Sequence, residues 1–196
     1  MKASSLLVLF CLLNATLCYT LGITPKECKA SFKDGLGFIK AFHKTTYYLG
    51  KGGLSGAVLT TPILTENNVD FKVETEHIRV IFQNINLSIS GVTRVKKSDF
   101  NEFTKVGAVL ENFKYEVKFS VVSKKLETGK YEVKSSKTEE STPSFKITKF
   151  TSKFTGMTDL EEQLKNKIKN LDFTPYKAYL NKIASLVIET LPSHMK

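Results

Sequence analysis

Three histidines, His43, His77 and His194, stand too far apart in the chain to form a metal-ligating pair at the usual spacing of three to five residues. No Cys-x-x-Cys, His-Glu-x-x-His or Gly-x-Ser-x-Gly occurs. Glu161 and Glu162 invite an acid–base reading, yet both fall in the first turn of an expected helix, where carboxylates suit the helix dipole. The glycine-rich stretch 50–56 lacks the Lys-Ser/Thr ending of a phosphate loop and reads as a hinge. His43 lies on or beside an apolar helix stripe, where a packed, hydrogen-bonded histidine is the expectation. These residue types in these positions predict no catalytic residues, no cofactor and no metal.

The elements that would position any site begin after an export signal. Lys2, the apolar run from Leu6 to Leu13, and Thr16 and Cys18 ahead of Tyr19 predict a cleaved signal peptide over residues 1–18. That run is far short of the ~20 residues needed to span a bilayer. The remainder, 19–196, suits one secreted domain. Cys11 and Cys18 leave with the signal, so Cys28 has no internal partner. It is either an intermolecular or reactive thiol or, the favoured reading, a buried thiol near a helix start.

The formal net charge of +10 comes almost wholly from lysine, since Arg79 and Arg94 are the two arginines. Nucleic-acid readers favour the bidentate guanidinium, and the lysines are dispersed, so no nucleic-acid partner is expected. Solvated lysine-rich faces leave room for weak contact with an anionic membrane or an acidic glycan.

Thr24-Pro25-Lys26-Glu27 combines an N-cap, a proline at the first helical position and a capping-box glutamate. Phe32, Leu36, Ile39, Phe42 or His43, and Tyr47 then mark one helix face up to the glycines at 50–53. From there the period changes to two. Val69, Phe71 and Val73 form one alternating set; Ile78, Val80 and Phe82 lie on the opposite parity, which suggests a bulge between the sets. Ile85, Leu87 and Ile89 follow, and Gly91 is expected to break the strand. The clearest strand carries Phe113, Tyr115, Val117, Phe119 and Val121. Tyr131 and Val133 follow a turn at Thr128-Gly129. The polar segment 134–144 reads as a surface loop or ragged edge, and Phe145, Ile147, Phe150 and Phe154 as a last, bulged strand. Helical spacing returns after Gly156. Thr158-Asp159-Leu160-Glu161 reads as a capping box, and Thr174-Pro175 opens a second helix with Tyr176, Leu180, Ile183, Val187 and Leu191 inward.

This order predicts an α+β fold: a curved antiparallel sheet wrapped on an N-terminal helix and two C-terminal helices. One sheet face is apolar and aromatic, and the helices are its natural cover. Whether they fill the space or leave an apolar cleft is open from the pattern alone.

The stretch Phe71 to Gly91, ending Phe82-Gln83-Asn84-Ile85-Asn86-Leu87-Ser88-Ile89-Ser90-Gly91-Val92, resembles a strand of the tubular lipid-binding superfamily. Its takeout and juvenile-hormone-binding-like proteins and the mite group 7 allergens share an Asn ahead of an alternating strand and a closing Gly-Val or Gly-Leu. The likeness continues through the Phe113–Val121 strand, the hairpin and the paired C-terminal helices, over roughly residues 70–191. Takeout-like proteins usually carry an N-terminal cysteine pair, whereas Cys28 stands alone. The resemblance implies a curved sheet on a long helix with an apolar groove for lipids or terpenoids.

The resulting expectation is a secreted protein that binds an apolar small-molecule ligand, lined by Phe113, Tyr115, Val117 and Phe119 facing Ile183 and Val187, with a tyrosine hydroxyl free to orient a polar head group. The alternative is a secreted interaction protein that uses its lysine-rich surface on a receptor, acidic glycan or anionic membrane. Asn86-Leu87-Ser88 is a glycosylation sequon on the polar parity of its strand; whether Asn86 is modified stays open, as does the oligomeric state.

Overall fold

A computed structural model describes residues 22–50, 53–97 and 100–196. The expected signal peptide, 1–18, lies outside the described residues. Within them the chain forms an α+β fold, built on a seven-stranded antiparallel sheet.

Helix α1 spans Pro25–Phe42 and opens with the expected capping box: the Glu27 backbone N–H donates to Thr24 Oγ1, and the Thr24 N–H donates back to Glu27 Oε2 at 2.6 Å. Its buried stripe is Cys28, Ser31, Phe32 and Ile39. The helix is shorter than the periodicity suggests. His43 is already extended, and Tyr47 belongs to strand β1 (Thr46–Leu49), which buries Tyr47 and Leu49 and exposes Tyr48. The β-branched Thr45-Thr46 and the two tyrosines favour pleated backbone over helix.

Gly37 lies mid-helix, and a Cβ built there meets nothing within 4 Å. Gly37→Ala is therefore expected to stabilise the fold by about 0.5–1 kcal/mol through lower backbone entropy of the unfolded chain. A melting temperature that stays put or falls would contradict this.

Strands β2 (Ser55–Thr60) and β3 (Val69–Val73) lead to two very long strands, β4 (His77–Lys97) and β5 (Phe100–Lys125). These pair along nearly their whole length and form the spine of the sheet. On one side of the spine β3 pairs the first half of β4 and β2 the second half. On the other, β6 (Tyr131–Glu140) pairs the second half of β5 and β7 (Ser144–Ser152) the first. The spine kinks where register shifts at Phe82/Ile85 and Ile85/Leu87. Asn84 (φ 55°) and Asn112 (φ 54°) occupy the left-handed region there, which asparagine tolerates better than most residues.

Several strand expectations need correcting. The parity change between Val73 and Ile78 is a hairpin turn rather than a bulge: the Glu74 N–H donates to the His77 carbonyl at 2.8 Å and β3 folds back on β4. The bulges lie further on, beside Asn84. Gly91 does not end its strand but sits inside β4, where a Cβ would come within 3.3 Å of Ala57 Cα and Leu54 Cβ. Close approach of β2, not strand termination, selects glycine. Of the two readings of the polar segment, loop or ragged edge, the edge holds for residues 134–140, which form most of β6, an exposed outer strand whose lysines and glutamates are what an edge tolerates. The last strand is bulged as expected, with a register shift between Thr151 and Thr148 and Lys149 at φ 44°.

Helix α2 (Thr158–Lys169) begins one residue earlier than its sequence signal, with Met157 rather than Thr158 as N-cap, and the expected Thr158 capping box does not form. Glu161 instead accepts from the Gly156 N–H and pairs with Lys165. Helix α3 (Thr174–Thr190) runs antiparallel to α1: Ser31 bonds to Val187 and Thr190 near one end, and His43 meets Tyr179 at the other. α1 packs on β3, and α3 on β1 and β5. The second half of β4 takes α2, whose Lys167 ammonium donates to Thr93 Oγ1 and the Arg94 carbonyl.

Candidate functional site

All six expected lining residues are buried in one core: Phe113, Tyr115, Val117 and Phe119 on alternate positions of β5, and Ile183 and Val187 on α3. Two of them meet α3 directly. The Phe113 ring lies 5.5 Å from that of Tyr176, edge to face, and 6.0 Å from Phe173, while Phe145 stacks parallel to it at 6.4 Å and also meets Phe173 at 5.3 Å. The Tyr115 hydroxyl donates to Asn181 Oδ1 at 2.8 Å. At these points helix and sheet touch with no gap between them.

Asn181 belongs to a polar latch at the rim of this contact. Its amide donates to Glu140 Oε1 at 2.9 Å, Lys177 approaches Glu140 Oε2 at 3.0 Å, and Lys137 holds the same carboxylate. Strand β6 is thereby tied to α3. The Lys137 ammonium, then the Tyr115 hydroxyl and Lys177, holds the Glu140 carboxyl down at about 2. A depressed carboxyl contributes stability above its unfolded value of about 4.3, and that stability is lost as pH falls through the folded value. Because Glu140 is exposed and its ion pairs are screened by solvent, Glu140→Gln should cost on the order of 1 kcal/mol at pH 7 and flatten the stability profile between about pH 5 and 2. Equal acid slopes in the two proteins would refute that assignment.

A second polar cluster lies where the end of α1, β1 and the first turns of α3 converge. Tyr47 and Tyr176 pack edge to face at 5.3 Å, Tyr179 lies 6.0 and 6.1 Å from them, and His43 stands 5.9 Å from Tyr179. The Tyr179 hydroxyl and His43 Nδ1 are 3.4 Å apart. Tyr47 Oη, Tyr176 Oη and His43 Nε2 are buried without a hydrogen-bond partner among the described residues. Burial, with Tyr179 next, lifts the Tyr47 phenol to about 12 against the opposing approach of the Lys44 backbone N–H, which falls outside hydrogen-bond geometry; burial alone lifts Tyr179 to about 12, and burial, before its tyrosine neighbours, also raises Tyr176. All three phenols stay neutral at physiological pH, so each offers both a donor and an acceptor.

Sequence reasoning missed this cluster because it placed Tyr47 on a helix and read Tyr176 as ordinary core. The signal available was the tyrosine-rich pair of segments, Tyr47-Tyr48 and Tyr176 to Tyr179. His43 matches its expected packed position only in part, since one ring nitrogen has a partner and the other has none among the described residues. Cys28 is fully buried, and burial, followed by Glu27, pushes its thiol to about 12, which favours the inert-thiol reading. Asn86 is exposed on β4, with its carbonyl oxygen accepting from the Asn112 N–H.

Outside the core, a cleft of about 180 Å³ is bordered by Arg79, Glu116, Lys118, Glu139 and Glu140. Its charges are matched to one another, Arg79 bridging Glu74 and Glu116. Among the described residues no His, Cys, Asp and Glu are grouped so as to hold a metal ion, and no helix is long and apolar enough to cross a membrane.

No family model matches the chain, and no match is found among curated proteins. Among solved structures, one titled "Crystal structure of lipopolysaccharide binding protein" is similar at a TM-score of 0.37 and 13% identity, covering 87% of this chain and 39% of that one. The chain spans about two fifths of that protein's length, and a likeness this slight assigns neither family nor ligand.

Proposed function

We propose that the protein is a secreted, non-enzymatic binding protein for an apolar small molecule of lipid or terpenoid type. The ligand's hydrocarbon body would lie among the side chains between β5 and α3, toward Val117, Phe119, Ile183 and Val187. Its single polar end would meet Tyr47, Tyr176 and His43. The observation that carries this is the cluster of three buried polar atoms with no described partner, set among aromatic rings beside an otherwise apolar core. An unpaired buried hydroxyl costs about 1–3 kcal/mol, a cost that a ligand oxygen would remove on binding. Small-molecule sites share this composition: mostly apolar walls with a few convergent polar groups.

Burying about 300 Å² of ligand surface gives a gross ~7.5 kcal/mol before ordering costs, enough for useful retention once hydrogen bonds are added. Because Phe113 already touches Tyr176, entry requires the first turns of α3 to shift away from the sheet. The test is to equilibrate purified protein with a lipid extract, remove unbound material and identify retained species by mass spectrometry. An apolar species carrying one polar group, near one per chain, is expected. A protein recovered empty from several extracts would overturn the proposal.

A further inference from the structure

The end of α1 that carries His43 is also the most apolar exposed face in its neighbourhood. Phe38 and Phe42, one helical turn apart, are 69% and 51% exposed. Thr61 bonds through its Oγ1 to the Lys44 carbonyl and through its N–H to the Thr45 carbonyl, which brings Ile63, 50% exposed, to the same end of the helix. Soluble surfaces seldom leave two phenylalanines this open side by side.

The charges around these rings are predominantly positive. Residues 35 to 65 contain no aspartate or glutamate, while Lys40 and Lys44 flank Phe42 in sequence and both are exposed. From α3, the Lys182 ammonium sits 4.1 Å from the centre of the Phe42 ring. None of these three lysines forms an ion pair among the described residues. Asp70 and Glu66 pair with Lys29 and Lys33 toward the other half of α1, and the nearest carboxylate to the rings, Asp34, one turn before Phe38, lies 3.4 Å from His194 Nε2. Glu189 on α3 is likewise two turns away from Lys182, toward the start of α1.

We propose that this face docks on an anionic phospholipid bilayer, with Phe38, Phe42 and Ile63 entering the headgroup boundary and Lys40, Lys44 and Lys182 meeting the lipid phosphates and carboxylates. Aromatic side chains ringed by lysine stems are the composition of a surface-lying membrane helix. A second copy of the chain is disfavoured as occupant, because a two-fold contact through this face would set the lysines against their own counterparts. The face also lies directly outside the tyrosine cluster, with Phe42 adjacent to His43 and Lys182 one turn from Tyr179. The inference stands on these exposed residues and does not depend on the ligand proposal.

The test is co-sedimentation of the full protein with phosphatidylcholine vesicles, with and without about 30% phosphatidylserine, at low and physiological salt. Binding is expected only to the anionic vesicles and should weaken with salt. Phe38→Ser/Phe42→Ser should lower the partition coefficient about tenfold or more. Lys40→Glu/Lys44→Glu should do so by about fivefold or more for each lysine. Lys124→Glu/Lys130→Glu, the same charge change at the β5–β6 hairpin, should change it less than about threefold. Because the substituted side chains are exposed, circular dichroism should show every variant folded. Wild-type binding no stronger to anionic than to neutral vesicles would overturn the proposal. So would an equal loss in the hairpin control, retention in the phenylalanine variant, or a dimer in sedimentation equilibrium that Phe38→Ser/Phe42→Ser dissolves. None of these outcomes bears on whether a lipid extract fills the interior.

Discussion

Phe113→Ala is expected to destabilise the protein by about 3–5 kcal/mol, a large part of the 5–15 kcal/mol that holds a typical domain together. Phe113 is fully buried, and its ring meets three aromatic rings from two parts of the chain: Phe145 on β7, and Phe173 and Tyr176 at the start of α3. It also sits beside Asn112, where the spine of the sheet kinks, so a cavity there is framed by bulged backbone and by three aromatic rings that have little freedom to collapse inward. Chemical denaturation should register the loss as a lower midpoint at unchanged slope. A cost under about 1 kcal/mol would mean that α3 does not rest on the sheet as described.

Tyr47→Phe/Tyr176→Phe is expected to move stability and binding in opposite directions. Each substitution keeps the ring packing and removes a buried hydroxyl that has no described partner, so the ligand-free protein should become more stable by about 1–3 kcal/mol. The same change removes two hydrogen bonds to a ligand's polar end, worth about 0.7–1.4 kcal/mol each, and affinity should fall about tenfold to a hundredfold. This opposition is diagnostic. Tyrosines kept for packing alone would give the gain in stability with no loss of affinity. Tyrosines whose hydroxyls support the fold would show destabilisation instead.

Much of the architecture was legible in the residues, because alternation and helical spacing are direct consequences of burying one face. The β5 positions from Phe113 to Val121 alternate buried and part-exposed as the pattern demands, and Thr24 with Glu27 forms the capping box its spacing announces. Errors arose where local propensity competes with tertiary pairing. Tyr47 continues a helical spacing from Phe32, yet its partner across the sheet, Leu59, holds it in a strand. Gly91 looks like a terminator, but a glycine demanded by the close approach of β2 has the same one-letter signature. Residues 134–140 are polar enough for a loop, and only pairing with β5 makes them a strand.

The six positions expected to line a cleft were readable as buried, four on β5 by alternation and two on α3 by helical spacing, since burial is periodic. The tyrosine–histidine cluster was not, because it is assembled from α1, β1 and α3, whose mutual placement no spacing rule encodes. Likewise Glu140 shows no sequence sign of its role. Its three cationic and amide partners, Lys137, Lys177 and Asn181, come from β6 itself and from a helix some 40 residues on.

The most direct test sets wild type beside Tyr47→Phe/Tyr176→Phe, exposes both to one lipid extract, and compares bound occupancy in native mass spectra. Wild type should carry a predominantly hydrocarbon molecule that the double variant holds at a tenth or less of that level. Equal occupancy in the two proteins would place the polar end of the ligand elsewhere, and bare spectra for both would contradict the binding function itself.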